Sequence, residues 1–572
     1  MSAISMFKKK NTDSKKLSSR LSAQVNLRTP SKATKWVGQL PITDMGETTR
    51  QLYVGLVGLN KEPISPQARI DVTEILLPYV KMSLDNLGRH FQNRSFPLPE
   101  RSQKIFELKQ SMLMELAGSY QLAALDMITK GSLSNKKILL SIGRAIKYMS
   151  LVLMNGYEVY VKHQKNIWHD IHHLYLLSCE HNIQHKEIPD NGDADGETLS
   201  IEDYYKLINL IALAGPNGTR QGEITRIRDF YKKFLKEIPI LADSNRVKSK
   251  YAHITLLNSD EPAALMPVSE MVNSPTSRLF DLSKAINALD EFVSESEESE
   301  LGLNDKLPML SHSLAKRLVY ALTTIRNRRF KRFPRDENAT LVIRMNDVIE
   351  ILRGTQVDSF VDQINEDVED DNIYTELSAS EEVESPWSEV EVDHFDEKDV
   401  AMHTWHVDNS STAGYGLSQV SNASSTARVG EMVAIKDPKD NQELWQISVI
   451  RWMDSINKKG LCMGLEVLSQ HGMTMVAESV ENREMTQAFP VEGLYLPEID
   501  GARDHANIIF PGFIFRVDDV VTINLSDRQE KIKITSIDDT LGSFAYCSFE
   551  KIETNDEPKD EIEVFEDVWE FL

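Results

Sequence analysis

An arginine-rich segment holds the residues best suited to bind an anionic ligand. Arg326, Arg328, Arg329, Arg332 and Arg335 lie close together in a chain of 572 residues whose formal net charge is −23. A guanidinium group forms paired hydrogen bonds with phosphate, binds the O6 and N7 atoms of guanine, and stacks on a base. Arg328 and Arg332 can both reach one ligand if the segment curls around it. Taken alone, a basic surface patch explains this spacing more simply, because exposed charges are common and contribute little.

A polar turn further along the chain offers a second candidate binding element. The sequence Asn409-Ser410-Ser411-Thr412-Ala413-Gly414 has an NxSxxG pattern. Asn409 and Ser411 supply hydrogen-bonding side chains, and Gly414 is free to adopt a positive φ. Small residues would also let a flat base approach the backbone. By itself the pattern also fits an ordinary turn between strands.

The order of the two motifs and the strands that follow them indicate a function more strongly than either motif alone. After the turn come Val449-Ile450-Arg451-Trp452 and then Met463-Gly464-Leu465-Glu466-Val467, which both have strand-like composition. From about residue 326 to residue 470 the chain resembles the PilZ domains, which are bacterial receptors for cyclic di-GMP. The resemblance implies an antiparallel β-barrel with a nucleotide site on its face.

The same resemblance implies roles for individual residues. Arg328 and Arg332, with Arg329 beside them, would bind the phosphates and guanines of cyclic di-GMP, and Asn409, Ser411 and Gly414 would hold the guanine edge. Two departures from the family pattern stand out. The motifs are further apart than usual, and Lys331 and Arg335 share the four-residue spacing, which leaves the register of the arginine pair open.

Composition and periodicity predict a multidomain α+β protein. We expect an N-terminal all-α helical region, then a PilZ-like antiparallel β-barrel, and then a further small all-β region. The expected boundaries are a disordered basic tail at 1–35, a helical interaction region at 36–320, the barrel at 321–355 and 403–495, an acidic insertion at 356–402, and the β region at 496–572. The last region either forms a second barrel or completes the first.

The helical region shows apolar residues at helical spacing, as in Ile138, Ile142, Ile146, Met149 and Leu153. Its successive amphipathic helices suggest, by analogy only, a surface for an unidentified protein partner. A further helix at Ser311–Arg326 leads directly into the arginine segment. Ligand-induced ordering of that segment would therefore reorient the helical region.

The acidic insertion interrupts the barrel region. Between Asp358 and Asp399 the only Lys or Arg residue is Lys398, so like charges should hold the segment extended at the surface. Two interpretations remain open for this segment. It either occupies the arginines until the nucleotide displaces it, or it has disabled the site.

Charge and cysteine content exclude several classes. A net charge of −23 argues against binding to DNA or RNA, and three scattered cysteines indicate a reducing cytoplasm. We expect no transmembrane segment, no metal and no cofactor. His169, His172 and His173 are interpreted as structural rather than as metal ligands, because no HExxH pattern is present. Glu561–Leu572 mixes acidic and apolar residues, and either packs on the last barrel or presents a docking peptide.

The sequence therefore predicts a cyclic di-GMP receptor without catalytic activity, which passes its ligand state to a protein partner. The alternative is a scaffold or adaptor with a degenerate PilZ-like barrel that does not bind the nucleotide. The regulated pathway (motility, pili, polysaccharide or secretion), the number of bound nucleotides and the oligomeric state stay open.

Overall fold

The chain forms two compact units in a computed structural model. The helical unit comprises Met1–Arg329, Ser421–Arg428 and Trp452–Cys462, and the barrel unit comprises Phe330–Val420, Val429–Arg451 and Met463–Leu572. The structure describes residues 27–91, 94, 96–131, 134–189, 198–242, 249–270, 276–298, 310–325, 330–354, 400–419, 427–439, 444–456, 460–481, 490–498, 505–512, 514–526, 528–538 and 542–552.

Helices dominate the first unit, as the sequence predicts. They are α1 (Pro30–Val37), α2 (Met45–Lys61), α3 (Pro66–Gly88), α4 (Glu100–Thr129), α5 (Asn135–Glu158), α6 (Ile167–Glu180), α7 (Ile201–Leu213), α8 (Glu223–Phe234), α9 (Ser283–Glu298) and α10 (His312–Thr323). Their apolar faces form a continuous core around fully buried residues such as Leu116, Ile142 and Trp168. Burial of these stripes, more than helix propensity, holds the helices together.

Side-chain caps explain where several of these helices begin. Ser65 accepts a hydrogen bond from the backbone N–H of Ala68, and Pro66 takes the first helical position of α3. In front of α7, Ser200 and Asp203 form a reciprocal capping box. Such caps satisfy the backbone N–H groups that have no partner inside the helix.

Helix α1 corrects the expected extent of the N-terminal tail. The sequence predicts a disordered tail at residues 1–35, but Pro30–Val37 is helical, with Ala33 and Val37 buried. Pro30 at the first helical position favours the start of the helix there, and Leu27 just before it is also buried. Residues 1–26 lie outside the described part of the chain.

Helix α5 is the one described helix long and apolar enough to cross a membrane by length and composition. Within its apolar window, 78% of the helix is buried inside the fold. Burial to that extent is typical of a core helix.

A small sheet within the helical unit is absent from the sequence prediction. Its strands are β1 (Ile240–Leu241), β2 (Tyr251–Leu256), β3 (Ala264–Pro267) and β4 (Ser277–Phe280), in the order β1-β4-β2-β3. The strands contain two to six residues, too few to show clear alternation. The region is therefore helical with an inserted antiparallel sheet, not all-α.

The barrel unit contains two closed six-stranded barrels. The first has the order β10-β7-β6-β5-β8-β9 and the second the order β11-β12-β13-β16-β15-β14. Strands of the first are β5 (Phe333–Ile343), β6 (Met402–Ser411), β7 (Gly414–Gln419), β8 (Met432–Lys436), β9 (Trp445–Ile456) and β10 (Gly460–Ser469). Strands of the second are β11 (Met473–Glu481), β12 (Val491–Leu496), β13 (Asn507–Pro511), β14 (Val520–Asn524), β15 (Gln529–Asp538) and β16 (Phe544–Lys551).

The strand pairing settles the open alternative in favour of a second barrel, and it corrects the boundary expected at residue 495. β11 pairs with β12 and β14, so the second barrel begins at Met473. Within the expected β region at 496–572, residues 514–517 form a loop. Strand β13 precedes them, and its buried run Asn507–Phe510 does not alternate between buried and exposed positions.

The outer faces of the two barrels share one apolar cluster. Ile447 and Val449 on β9 pack in it with Leu494 and Leu496 on β12, and all four are completely buried. The neighbouring Tyr495 points the opposite way, into the core of the second barrel, as strand alternation requires. Because the cluster belongs to both barrels, we expect them to unfold as one cooperative unit.

Truncating one side of this cluster should destabilise both barrels. Ile447→Ala removes a side chain from the first barrel and should cost about 2–5 kcal/mol. Hydrogen exchange should then show loss of amide protection in β14 and β15 of the second barrel as well as in β8 and β9. Val517→Ala, at a site that is 49% exposed, serves as the control without effect. Loss of protection confined to the first barrel would show that the barrels are energetically separate.

Candidate ligand-binding face of the first barrel

The NxSxxG motif forms a β-hairpin. Ser411 pairs with Gly414 and Asn409 pairs with Gly416, so Thr412 and Ala413 alone make the turn. Asn409 and Ser411 therefore lie on strand β6, and the expectation that they belong to the turn is wrong. The hairpin presents them along a strand, where their side chains share one face.

A β-bulge decides which face this is. Val407 on β6 pairs with Leu417 on β7, and both are fully buried in the barrel. The register then shifts, leaving Asp408 without a counterpart, and Asn409 pairs with Gly416. Without the bulge Asn409 would share the inward face of Val407, because side chains alternate along a strand. With it, Asn409, Ser411, Gly414 and Gly416 line the outward face.

Arg332 reaches this outward face from the residue before β5. Its Nη1 donates a hydrogen bond of 2.8 Å to Oδ1 of Asn409. The structure thus brings together one residue from each predicted motif, across 77 positions of sequence. Pro334 pairs with Asn409 along the same edge, which holds the start of β5 against the hairpin.

Gly416 makes room for this contact and was not predicted as a site residue. A Cβ atom at position 416 would lie 2.8 Å from Asn409 Oδ1, 2.9 Å from Asn409 Nδ2 and 3.1 Å from Arg332 Nη1. Any side chain there would displace both polar groups. Its alternation with Gly414 in the sequence Gly-Tyr-Gly was the available signal, since two glycines on one strand face mark a close approach.

Gly414 is required for a reason other than the expected one. The described glycines with positive φ do not include it. Instead, a Cβ atom would lie only 2.0 Å from the backbone oxygen of Leu465 on β10. Ser411 Oγ makes a long contact of 3.4 Å with the oxygen of Gly414. Gly414 therefore allows β7 to approach β10, which closes the barrel.

A buried polar network lies directly behind this face. The Arg335 guanidinium donates two hydrogen bonds to the Asp437 carboxylate, at 2.9 and 2.8 Å. Its side chain is 8% exposed and that of Asp437 is 7% exposed. The Tyr415 hydroxyl, between the two glycines of β7, lies 2.9 Å from Asp437 Oδ2 and 2.9 Å from Gln446 Oε1. The network connects β5, β7, β8 and β9.

Opposing influences set the pKa of Asp437. Burial acts to raise its pKa, and the hydrogen bonds from Arg335, Lys439 and Tyr415 together hold it below the ordinary value. Because the pKa is lowered in the folded state, the pair stabilises the fold above the ordinary carboxylate range. That stabilisation is lost as the pH falls through the lowered pKa.

The network also bears on the open register of the arginine motif. Arg335 is held by Asp437 and by Glu337, so its use as a ligand-binding arginine would break a bidentate buried pair. Arg332 sits on the outward face and makes no such pair among the described residues. Arg328 and Arg329 lie outside the described residues, as does the acidic segment up to residue 399, and their roles stay predictions.

Of the three histidines of α6, His172 has the structural role that the sequence favours, whereas His169 and His173 are exposed. His172 is fully buried, with Nδ1 2.8 Å from the Tyr205 hydroxyl and Nε2 2.9 Å from the backbone oxygen of Glu261. Burial lowers the pKa of His172 to about 4, which keeps the ring neutral. Within the described ranges no group of three or more His, Cys, Asp or Glu side chains could hold a metal ion. The C-terminal segment Glu561–Leu572 lies outside those ranges.

The order of a helical unit, a barrel with this face and a second barrel defines a multidomain PilZ-domain protein. Three family models match the chain in that order: the N-terminal domain of the cyclic-di-GMP receptor FimW at residues 31–244, its middle PilZ domain at 350–473, and its C-terminal β-barrel domain at 477–552. The chain belongs to this family of PilZ-domain cyclic-di-GMP receptors.

A relative in Pseudomonas aeruginosa matches the chain over nearly the full length of both proteins. The cyclic-di-GMP receptor FimW of that organism is 23% identical over 568 residues, covering 93% of this chain and 92% of the relative. No solved structure matches the chain. The middle-domain match includes the hairpin with Asn409 and Gly416 but begins after Arg332.

Three glycine substitutions should distinguish the role of Gly414, which allows β7 to approach β10, from that of Gly416, which leaves space for the side chains of Arg332 and Asn409. Gly414→Ala meets a backbone atom and should destabilise the barrel by about 1–3 kcal/mol. Gly416→Ala meets only side-chain ends that can move, so the thermal unfolding midpoint should stay near that of the parent protein. Gly512→Ala is the matched control, because its Cβ atom would meet nothing closer than 3.7 Å. Equal midpoints for Gly414→Ala and Gly512→Ala would contradict this account.

Proposed function

We propose that this protein is a cyclic di-GMP receptor whose nucleotide lies on the outward face of β6 and β7 beneath the arginine segment. The observation that carries the proposal is the hydrogen bond from Arg332 to Asn409, which joins the two motifs above Gly416. Membership of the receptor family and the name of the relative from P. aeruginosa support it.

The chemistry of the face suits this ligand. A guanidinium has five N–H donors, so Arg332 retains several for a phosphate or a guanine edge while it contacts Asn409. Arg328 and Arg329 are proposed to complete the phosphate contacts. Asn409 and Ser411 would bind the guanine edge, with Gly414 beside them on the hairpin. A flat base would reach the strand backbone at Gly416 only where the side chains of Asn409 and Arg332 move aside.

The proposed output is conformational rather than catalytic. Helix α10 ends at Thr323, and the arginine segment follows it directly in the chain. Binding that favours one conformation of this segment would shift the population of states available to α10 and, through it, to a protein partner of the helical unit. We propose a cytoplasmic effector with no catalytic activity and no cofactor.

A scaffold that does not bind the nucleotide is the second candidate. It is favoured by one observation: the match to the middle PilZ domain begins at residue 350 and leaves the arginine segment outside. Direct binding measurements separate the two candidates.

Isothermal titration calorimetry with cyclic di-GMP tests the proposal. The parent protein should bind, and Arg328→Ala/Arg332→Ala should weaken binding by at least about 100-fold, since each of the two charged hydrogen bonds contributes roughly 1.5–3 kcal/mol. Gly416→Ala should also weaken binding while it leaves the fold intact. The titration gives the number of bound nucleotides directly.

Arg353→Gln serves as the arginine control, because Arg353 forms an exposed ion pair with Glu492 away from the proposed face. Its affinity should equal that of the parent protein. Failure of the folded parent protein to bind would favour the scaffold. Parent-like binding by the double alanine variant would place the nucleotide elsewhere.

A further inference from the structure

An imidazole and two carboxylates lie together on the outer surface of the first barrel. His406 stands between Trp405 and Val407 on β6, and because those two side chains are buried in the barrel, His406 faces outward. Its Nε2 atom lies 3.6 Å from Oδ1 of Asp336 and 3.7 Å from Oδ1 of Asp408. Both distances exceed that of a hydrogen bond, so the attraction within this His406 cluster depends on the charge of the imidazole.

The bulged stretch of the barrel brings the two carboxylates together. Between two regular pairs of β5 and β6, the residues Arg335 and Asp336 of β5 oppose the single residue Asp408 of β6. Arg335 turns inward to Asp437, and Asp336 remains at the surface. Like charges on opposite positions of paired strands repel each other. A positive charge on His406 would relieve that repulsion.

The His406 cluster adjoins the outward face that we propose for the nucleotide. His406 pairs with Ser418 on β7, and Asn409 pairs with Gly416. Ser418 and Gly416 are two residues apart on one strand, so they share a face and lie about 7 Å from each other. The Ser418 hydroxyl donates a hydrogen bond of 3.0 Å to Oδ1 of Asp408, which holds that carboxylate at the edge of the proposed face.

The other charged groups on the strands beside β6 have partners of opposite charge. β6 lies between β5 and β7, and β7 carries no charged side chain. Outside the cluster, β5 carries Arg335 and Glu337, and the Glu337 carboxylate lies 2.6 Å from Arg335 and 2.9 Å from Lys439. On β6 itself, burial lowers the pKa of His403, which favours its neutral form. His406 is therefore the group that can balance the two carboxylates of its cluster.

We propose that His406 makes nucleotide binding depend on protonation, an inference that rests on the proposed function. Cyclic di-GMP is a dianion, and the carboxylates of Asp336 and Asp408 disfavour a dianion beside them. Protonation of His406 offsets one of their charges and adds a cation near the ligand, so both effects strengthen binding. Histidine changes its charge between about pH 5 and pH 8. Affinity therefore rises as the pH falls through this range, and nucleotide binding in turn favours protonation of His406.

Calorimetric titration of the full-length protein with cyclic di-GMP at about pH 6 and about pH 8, on either side of the histidine range, tests this inference. The parent protein should bind about fivefold more tightly at the lower pH, because one added charge acts through water on two phosphates. Titrations in two buffers of different ionisation enthalpy should show uptake of protons on binding. His406→Gln should bind at both pH values as the parent protein does at the higher pH. His406→Lys should bind at both as the parent protein does at the lower pH.

His403→Gln is the matched control, because it removes the same type of side chain from the same strand and should keep the pH dependence of the parent protein. Asp336→Asn should strengthen binding at the higher pH, since it removes one opposing carboxylate from an exposed position. Equal affinity of the parent protein at both pH values, or a pH dependence that survives in His406→Gln, would overturn this inference alone. Absence of binding at both pH values would overturn the proposed function together with it.

Discussion

The buried pair between Arg335 and Asp437 is the constraint on which the candidate site depends. It ties Arg335, near the start of β5, to Asp437, the residue after β8. The Tyr415 hydroxyl brings β7 into the same network. Removing one partner would leave a charge buried without compensation, which is among the costlier changes a fold can suffer. The pair fixes β5 at Arg335, three residues after Arg332. Arg332 is therefore held where its side chain contacts Asn409.

Two β-bulges then determine which side chains lie on the outward face. The register shift after Val407 places Asn409 on the outward face, and a second shift, between Pro334 and Glu337, lies opposite it on β5. Adjacent bulges of this kind re-aim side chains next to binding sites. Glycines complete the arrangement: Gly414 permits close contact between β7 and β10, and Gly416 clears the space in which Arg332 meets Asn409.

Local patterns made much of this predictable. Helical spacing predicts the helical unit, because a half-buried helix repeats its contacts at a fixed period. Strand-like composition predicts the strands that contain Val449–Trp452 and Met463–Val467. The resemblance to PilZ domains also implied that the two motifs lie close together, and among the described residues Arg332 and Asn409 do so.

The missed features depend on tertiary contacts. The sheet β1–β4 is built from strands too short to show a period, and the extra residue of a bulge has no signature in composition. Gly416 is explained only by atoms 77 positions apart in sequence that meet above it. The position of Arg335 inside the barrel likewise follows from its partner Asp437, which no local pattern around the arginine motif reveals.

The most direct test of the central claim is a double-mutant cycle on Arg332→Ala and Asn409→Ala, with cyclic di-GMP affinity measured by calorimetry. If the two side chains form one ligand-binding element on the outward face, each single substitution should weaken binding, and the double variant should lose clearly less than the sum of the two losses. Losses that add within about 0.3 kcal/mol, or single variants that bind like the parent protein, would contradict the account.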